Sequence, residues 1–295
     1  MKCMVAMAIA GLLNLQVSVH AQQKDIAFVV VGKTANHRQN LHGQHSLLNY
    51  HFFAEIFLKE NGRLGRPALI TPGGHQEMIF KGDESVLEVH GGRYQSEEAL
   101  NRAFPDGNYI FSYRLSNGTL LNESVRLENK TGASRIPKPV KIVLEQGRRQ
   151  VRPDAINPEL DLSVSWSAFE SGNADVNGIV DDLVFVVLGD CHGQKIKHSG
   201  GPFSDNEFLT YASRAYTISA SLLNPGKAYQ LFVEHAEIDS SIYRDIPEIA
   251  TFAATTFIEL HTSGERGVNQ RQCPEPMPAM DGGQTDRPRA QRAGK

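Results

Sequence analysis

Between residues 25 and 260 apolar side chains recur at every second position in short runs, and Gly, Pro, Asn or Asp cuts almost every run before a helix could form. A period of two belongs to a pleated strand with one buried face, so the chain is expected to be all-β. The clearest run places Tyr109, Phe111, Tyr113 and Leu115 on one face and Ile110, Ser112 and Arg114 on the other. It opens at the turn Phe104-Pro105-Asp106-Gly107 and closes at Asn117-Gly118, a hairpin dipeptide, after which residues 120–127 return. Other strands are expected at 25–31, 49–58, 67–71, 77–80 and 86–89, then at 140–144, 160–166, 216–222, 228–235 and 252–260. The unbroken apolar run 183–188 reads as a strand buried on both faces. A single short helix is expected at 96–104, where Ser96 can cap and Ala99, Leu100, Ala103 and Phe104 share a face.

Strands at this spacing indicate β-sandwiches, and 295 residues suffice for two of them. Between about 128 and 160 the composition shifts to Lys, Arg, Gly and Pro, which sets the boundary near Ile136. The expected organisation is a signal peptide at 1–21, an Ig-like sandwich at 22–135, a second sandwich at 136–262 and a disordered tail at 263–295. Lys2, the apolar run 4–13 and Val19-His20-Ala21 make the signal, so a secreted or periplasmic address is expected. No later stretch has the apolar length of a membrane span. With 30 Lys and Arg against 33 Asp and Glu, no excess of positive charge recommends a nucleic acid as partner. Removing the signal removes Cys3 and leaves Cys191 and Cys273, two thiols that can pair in an oxidising compartment.

The second half resembles a fibronectin type III module over residues 137–262. Leu162-Ser163-Val164-Ser165-Trp166 is similar to that family's second strand ending in its core Trp. The stretch from Tyr216 to Leu223, with Asn224-Pro225-Gly226 and Tyr229 behind it, is similar to its signature of strand, Leu, Pro-Gly and Tyr. The resemblance implies that Trp166 fills the space between two sheets and that the Tyr229 hydroxyl reaches backbone at a corner. Long loops at 173–182 and 192–206 depart from the family pattern. Through its FPDGNYIFSY and TPGG segments, the whole chain also resembles bacterial exported proteins of uncharacterised role with two sandwich domains.

Candidate sites are few. In the loop 173–182, Asn173, Asp175 and Asn177 alternate, Gly178 allows a turn, Ile179 offers a carbonyl and Asp181 a further carboxylate. Oxygen donors in that order suit Ca²⁺, although Val184 stands where a closing Glu would be, and the same residues make a solvated Asx/Gly turn. His37, His42, His45 and His51 are metal-ligand types in loose spacing, also read as ordinary loop histidines. Tyr50, Phe52, Phe53 and Tyr94 could form a sugar-stacking platform or pack into the core. Neighbouring Cys191 and His192 would point to opposite faces of a strand, which argues against a thiol nucleophile with its base. No nucleophile elbow, zinc-protease helix or phosphate loop occurs. The expectation is a noncatalytic binding or structural module for adhesion, matrix or carbohydrate recognition, with an extracellular polysaccharide or surface protein as partner. The alternatives are a polysaccharide-active hydrolase or lyase and a calcium-stabilised surface spacer.

Overall fold

The computed structural model describes residues 25–83, 85–129, 134–191, 193–203, 206–264 and 273. The signal expected at 1–21 and nearly all of the tail expected at 263–295 lie outside them. The described chain is all-β with one α-helix. Its strands are β1 (Ile26–Gln39), β2 (His45–Leu58), β3 (Leu64–Ile70), β4 (Glu77–Ile79), β5 (Lys81–Gly82), β6 (Val86–Tyr94), β7 (Gly107–Leu115) and β8 (Leu120–Leu127). They continue with β9 (Ile142–Gln146), β10 (Arg149–Gln150), β11 (Leu162–Trp166), β12 (Leu183–Asp190), β13 (Lys195–His198), β14 (Leu209–Thr210), β15 (Ala215–Ile218), β16 (Ala228–Tyr243) and β17 (Ile246–His261).

The helix α1 (Glu97–Ala103) forms where expected, because the Ser96 side chain accepts a hydrogen bond from the Ala99 N–H and buries Leu100 against the sheet. At 216–222 the expected strand stops early. β15 ends at Ile218 and a 3₁₀ turn follows at Ala220–Leu222, closed by Ser219 accepting from the Ser221 N–H.

Nine strands form one long sheet in the order β13-β12-β16-β17-β1-β2-β6-β5, with β14 also paired to β12. Two four-stranded sheets, β4-β3-β7-β8 and β10-β9-β11-β15, complete the set. The two halves of the chain meet inside the long sheet, where β1 runs parallel to β17 from Val29 opposite Glu248 to Arg38 opposite Phe257. Alternation along β17 then serves two cores from one face. Ala250 and Phe252 pack with Val29, Val31, Phe52, Tyr109 and Phe111, while Ile258 and Leu260 pack with Val164, Trp166, Val186 and Leu231. Both small sheets therefore cover the same face of the long one. The other face carries a third cluster built on Val30, Leu183, Ala236, Ile249 and Ala253.

β16 and β17 are each 16 residues long, well beyond the expected 228–235 and 252–260. Their added lengths include Glu237, Asp239, Ser241, Glu248 and Thr251, where apolar contrast is too weak for the period to be read from sequence.

The first core depends on a close approach at Gly91, where an added Cβ would lie 2.4 Å from the Phe104 ring and 2.8 Å from that of Phe52. Those two rings stack with centroids 4.0 Å apart. In the second core Trp166 is buried, and the Tyr229 hydroxyl accepts a hydrogen bond from the Asn224 N–H at 2.7 Å. Pro225 and Gly226 form the turn between them, with Gly226 at φ 68° and its N–H donating to the Ser263 carbonyl. Cys191 and Cys273 are joined in a disulfide, tying one residue of the tail to the end of β12. Among the described residues no helix is long and apolar enough to cross a membrane.

Candidate functional site

The loop between β11 and β12 is held in shape by its own acids. Asp175 Oδ1 accepts from the Asn177 N–H, and its Oδ2 accepts from the Ile179 and Val180 N–H groups and the Ser240 hydroxyl at 2.7–3.1 Å. Asp181 Oδ1 accepts from the Asp175 N–H. Asp182 clamps the base of the loop, accepting from the Asn173 N–H with one oxygen and from the Ile238 N–H with the other. The Asn177 amide donates to the Ser240 carbonyl. Gly178, at φ 70°, gives the turn its left-handed step, and Val176 at the tip is 96% exposed. Ile179 and Val180 fold back onto the outer face of the long sheet.

A cleft of about 310 Å³ opens between this loop and the middle of β16. Asn173, Asp175, Asn177 and Asp182 line one side; Glu237, Asp239 and Ser240 line the other. Arg135 crosses from the segment before β9. Its Nη1 donates to Asp239 Oδ2 at 2.5 Å and to the Glu128 carbonyl, its Nε lies 3.7 Å from Glu237, and its guanidinium sits 4.8 Å above the Phe252 ring. This cation is stacked, paired and mostly buried, hence pre-organised.

Two carboxyls of the cleft differ in electrostatic character. Burial pushes Asp182 up to about 6; the Ile238 and Asn173 amides and Arg135 oppose the rise, whereas Glu237 adds to it. Burial acts on Asp175 too, but the donors from Asn177, Val180, Ile179 and Ser240 outweigh it and hold its carboxyl below the usual range. The cleft thus offers fixed acceptors of unequal basicity beside a fixed guanidinium.

Of the five oxygen donors expected to hold calcium, Asn173, Asp175, Asn177, Ile179 and Asp181, Asp175 has both carboxyl oxygens on backbone amides and a serine, and Asp181 accepts from the Asp175 N–H. Among the described residues no group of three or more His, Cys, Asp or Glu side chains has metal-holding geometry.

The four clustered histidines do not converge on one point. His45 meets Gln39 and lies near His37, and His42 stands exposed on a turn. His51 contacts the Gly92 carbonyl at 2.7 Å and His90 at 3.0 Å. No aromatic platform forms, because strand alternation sends Phe52 into the first core, with Tyr50 and Tyr94 packed against it, and Phe53 to the opposite face. His192, the neighbour of Cys191, lies outside the described residues.

Arg135, Glu237 and Asp239 were not singled out by sequence reasoning. Arg135 sits in the segment read as a boundary, and the two acids lie beyond the expected end of their strand. The alternation of Glu237 and Asp239 with Ile238 was the available signal. Comparison with known proteins returns no family: no family model matches the chain, and no curated protein matches it.

Proposed function

We propose that this chain is an exported, noncatalytic binding module that recognises extracellular carbohydrate through the cleft beside the 173–182 loop. In this reading residues 22–135 and 136–262 are two sandwich units, the second of fibronectin type III type, and residues 1–21 direct export. The buried Trp166, the Tyr229 corner bond and the Cys191–Cys273 disulfide support the type III reading and an oxidising compartment.

One observation carries the function. The cleft presents Arg135, Glu237, Asp239 and Asp182 as a fixed set of polar groups on rigid strands, and little ordering is left to be done when a polyhydroxylated ligand arrives. Hydroxyls can both donate to carboxylates and accept from a guanidinium, which matches a mixed lining of this kind.

The test is a glycan array probed with the full chain and with Arg135→Ala. Retention of a defined glycan by the parent, with at least tenfold weaker retention by the variant at unchanged circular dichroism, is the expected result. Retention of nothing by the parent, or equal retention by both, would reject the cleft as a carbohydrate site.

A further inference from the structure

The face of the long sheet turned away from both small sheets carries a pair of imidazoles near its rim. His51 on β2 and His90 on β6 approach each other, with Nε2 of the first 3.0 Å from Nδ1 of the second. A β-bulge brings them together. His51 pairs with Arg93 and Phe53 with His90, so the single residue Phe52 stands opposite both Gly91 and Gly92. Gly92 takes φ 91°, a left-handed conformation that favours glycine. The extra residue resets the alternation of β6, and Glu88, His90 and Arg93 all come to lie on the face of His51. Strand β5 pairs only with Leu87 and Glu88, which leaves β6 as the rim of the sheet at His90. His51 is 3% exposed, whereas the His90 side chain is 45% exposed.

Hydrogen bonding assigns the ring protons. His51 Nδ1 lies 2.7 Å from the Gly92 carbonyl, an oxygen that can only accept. The Arg93 guanidinium lies 2.9 Å from the same nitrogen and has a further interaction of its own. The shorter contact places the proton on Nδ1 and leaves Nε2 with a bare lone pair. On His90, Nε2 lies 3.3 Å from Glu88 Oε2, and a carboxylate also only accepts, so Nε2 carries the proton and Nδ1 is bare. The same contact holds the Glu88 carboxyl below its usual range, which keeps it ionised at neutral pH. With ring centroids 5.2 Å apart, the two bare nitrogens point at one another. Lone pairs facing across so short a gap repel, and a cation placed at them removes the repulsion.

We propose that His51 Nε2 and His90 Nδ1 together bind a divalent transition-metal ion, Cu²⁺ in preference to Zn²⁺, with water completing its shell. Each ring already makes the outer hydrogen bond by which metal-bound imidazoles fix their tautomer, His51 to a backbone carbonyl and His90 to a carboxylate. At metal–nitrogen bonds of about 2.0–2.1 Å, nitrogens 3.0 Å apart subtend roughly 95° at the ion. That is close to the angle between neighbouring ligands of tetragonal Cu²⁺, whereas a tetrahedral Zn²⁺ holds its nitrogens about 3.3–3.4 Å apart. His90, exposed and on the rim, supplies the rotation that turns its lone pair onto the ion, while buried His51 is the fixed ligand.

The charges around the pair leave room for a cation. Ionised Glu88 offsets part of the ion's charge, and Arg93 approaches His51 from its Nδ1 side, away from the bare nitrogen. Glu55, opposite Glu88 on β2, is pushed up to about 8 by burial, with Glu88 and Glu234 adding to the rise, and stays neutral at pH 7. Sequence spacing groups His51 with His37, His42 and His45; the bulge gives it His90 as its partner instead. The site shares no residue with the cleft beside the 173–182 loop, and its argument is independent of the carbohydrate reading.

The experiment is isothermal titration of the full chain with Cu²⁺ and with Zn²⁺, joined to electron paramagnetic resonance of the copper-loaded protein. The expected result is a Cu²⁺ site with a Kd of about 10 μM or tighter, Zn²⁺ bound about tenfold more weakly, and hyperfine coupling to two imidazole nitrogens. His90→Ala should weaken Cu²⁺ binding about tenfold or more and remove one nitrogen from the spectrum, and Glu88→Gln should weaken it about tenfold by freeing the His90 ring. His45→Ala should change neither readout. No Cu²⁺ site of that affinity, Zn²⁺ bound as tightly as Cu²⁺, or a spectrum and affinity untouched by His90→Ala would overturn the proposal. Should His90→Ala fail to fold, Glu88→Gln and the count of coupled nitrogens in the parent decide it alone.

Discussion

Glu123 offers the sharpest test of how this core is held. It sits on the inward face of β8 between Leu121 and Val125, with no solvent exposure, and neither carboxyl oxygen has a hydrogen-bond partner among the described residues. The buried Tyr113 hydroxyl stands beside it, close enough to act on the carboxyl but outside full hydrogen-bond geometry. Burial pushes Glu123 up to about 7; Tyr113 and Arg244 pull it back, and Glu248 on β17 pushes it further up. Against the ordinary value of 4.5, the difference is worth about 3 kcal/mol, at about 1.4 kcal/mol for each tenfold change in proton affinity. The folded state binds this proton more tightly than the unfolded state does. Its contribution is therefore full below pH 4.5, falls as pH rises towards 7, and stays lost above that. Glu123→Gln keeps the shape of the protonated acid and cannot ionise. The expected outcome is near-equal stability of parent and variant at pH 4.5, with the variant more stable by up to about 3 kcal/mol at pH 8. Urea titrations followed by circular dichroism at the two pH values measure this difference, and other titrating groups cancel because both proteins carry them. A stability difference independent of pH would show that Glu123 is not held protonated by its surroundings.

Lys33 is 1% exposed, and its ammonium donates to Asn101 Oδ1 at 2.7 Å and Asp106 Oδ1 at 2.8 Å, pinning α1 and the Pro105-Asp106-Gly107 turn to β1. Asp106→Ala should cost about 3 kcal/mol by stranding that charge, and adding Lys33→Met should recover most of it; urea midpoints of the two variants that coincide would contradict this account. The Cys191–Cys273 disulfide spans 82 residues, so Cys191→Ser should lower stability by up to about 4 kcal/mol through the freed unfolded chain. An unchanged midpoint with and without reductant would mean that the bond stabilises nothing.

Much of the local structure is legible in the sequence because a strand with one buried face writes its period into the side chains. Tyr109, Phe111 and Tyr113 are buried in the alternation expected of them, as are Leu162, Val164 and Trp166. Ser96 caps the one helix for reasons confined to four residues. The loop 173–182 was marked by its Asp, Asn and Gly content alone, and it does form one wall of the cleft.

Pairing between distant strands leaves no such record. Nothing in residues 29–38 or 248–257 announces that β1 and β17 run parallel, because backbone amides and carbonyls make that contact and every residue carries them. Local order also left Glu55, Glu123 and Glu234 as unremarkable acids within strands. Their surroundings arise only when the sheet curls or a second sheet covers it, which places charge beside charge across long stretches of chain. Sequence determined which residues turn inward, since that follows from the pleat. Tertiary structure alone decided which inward residues meet, and the perturbed carboxyls and the polar cleft are products of that meeting.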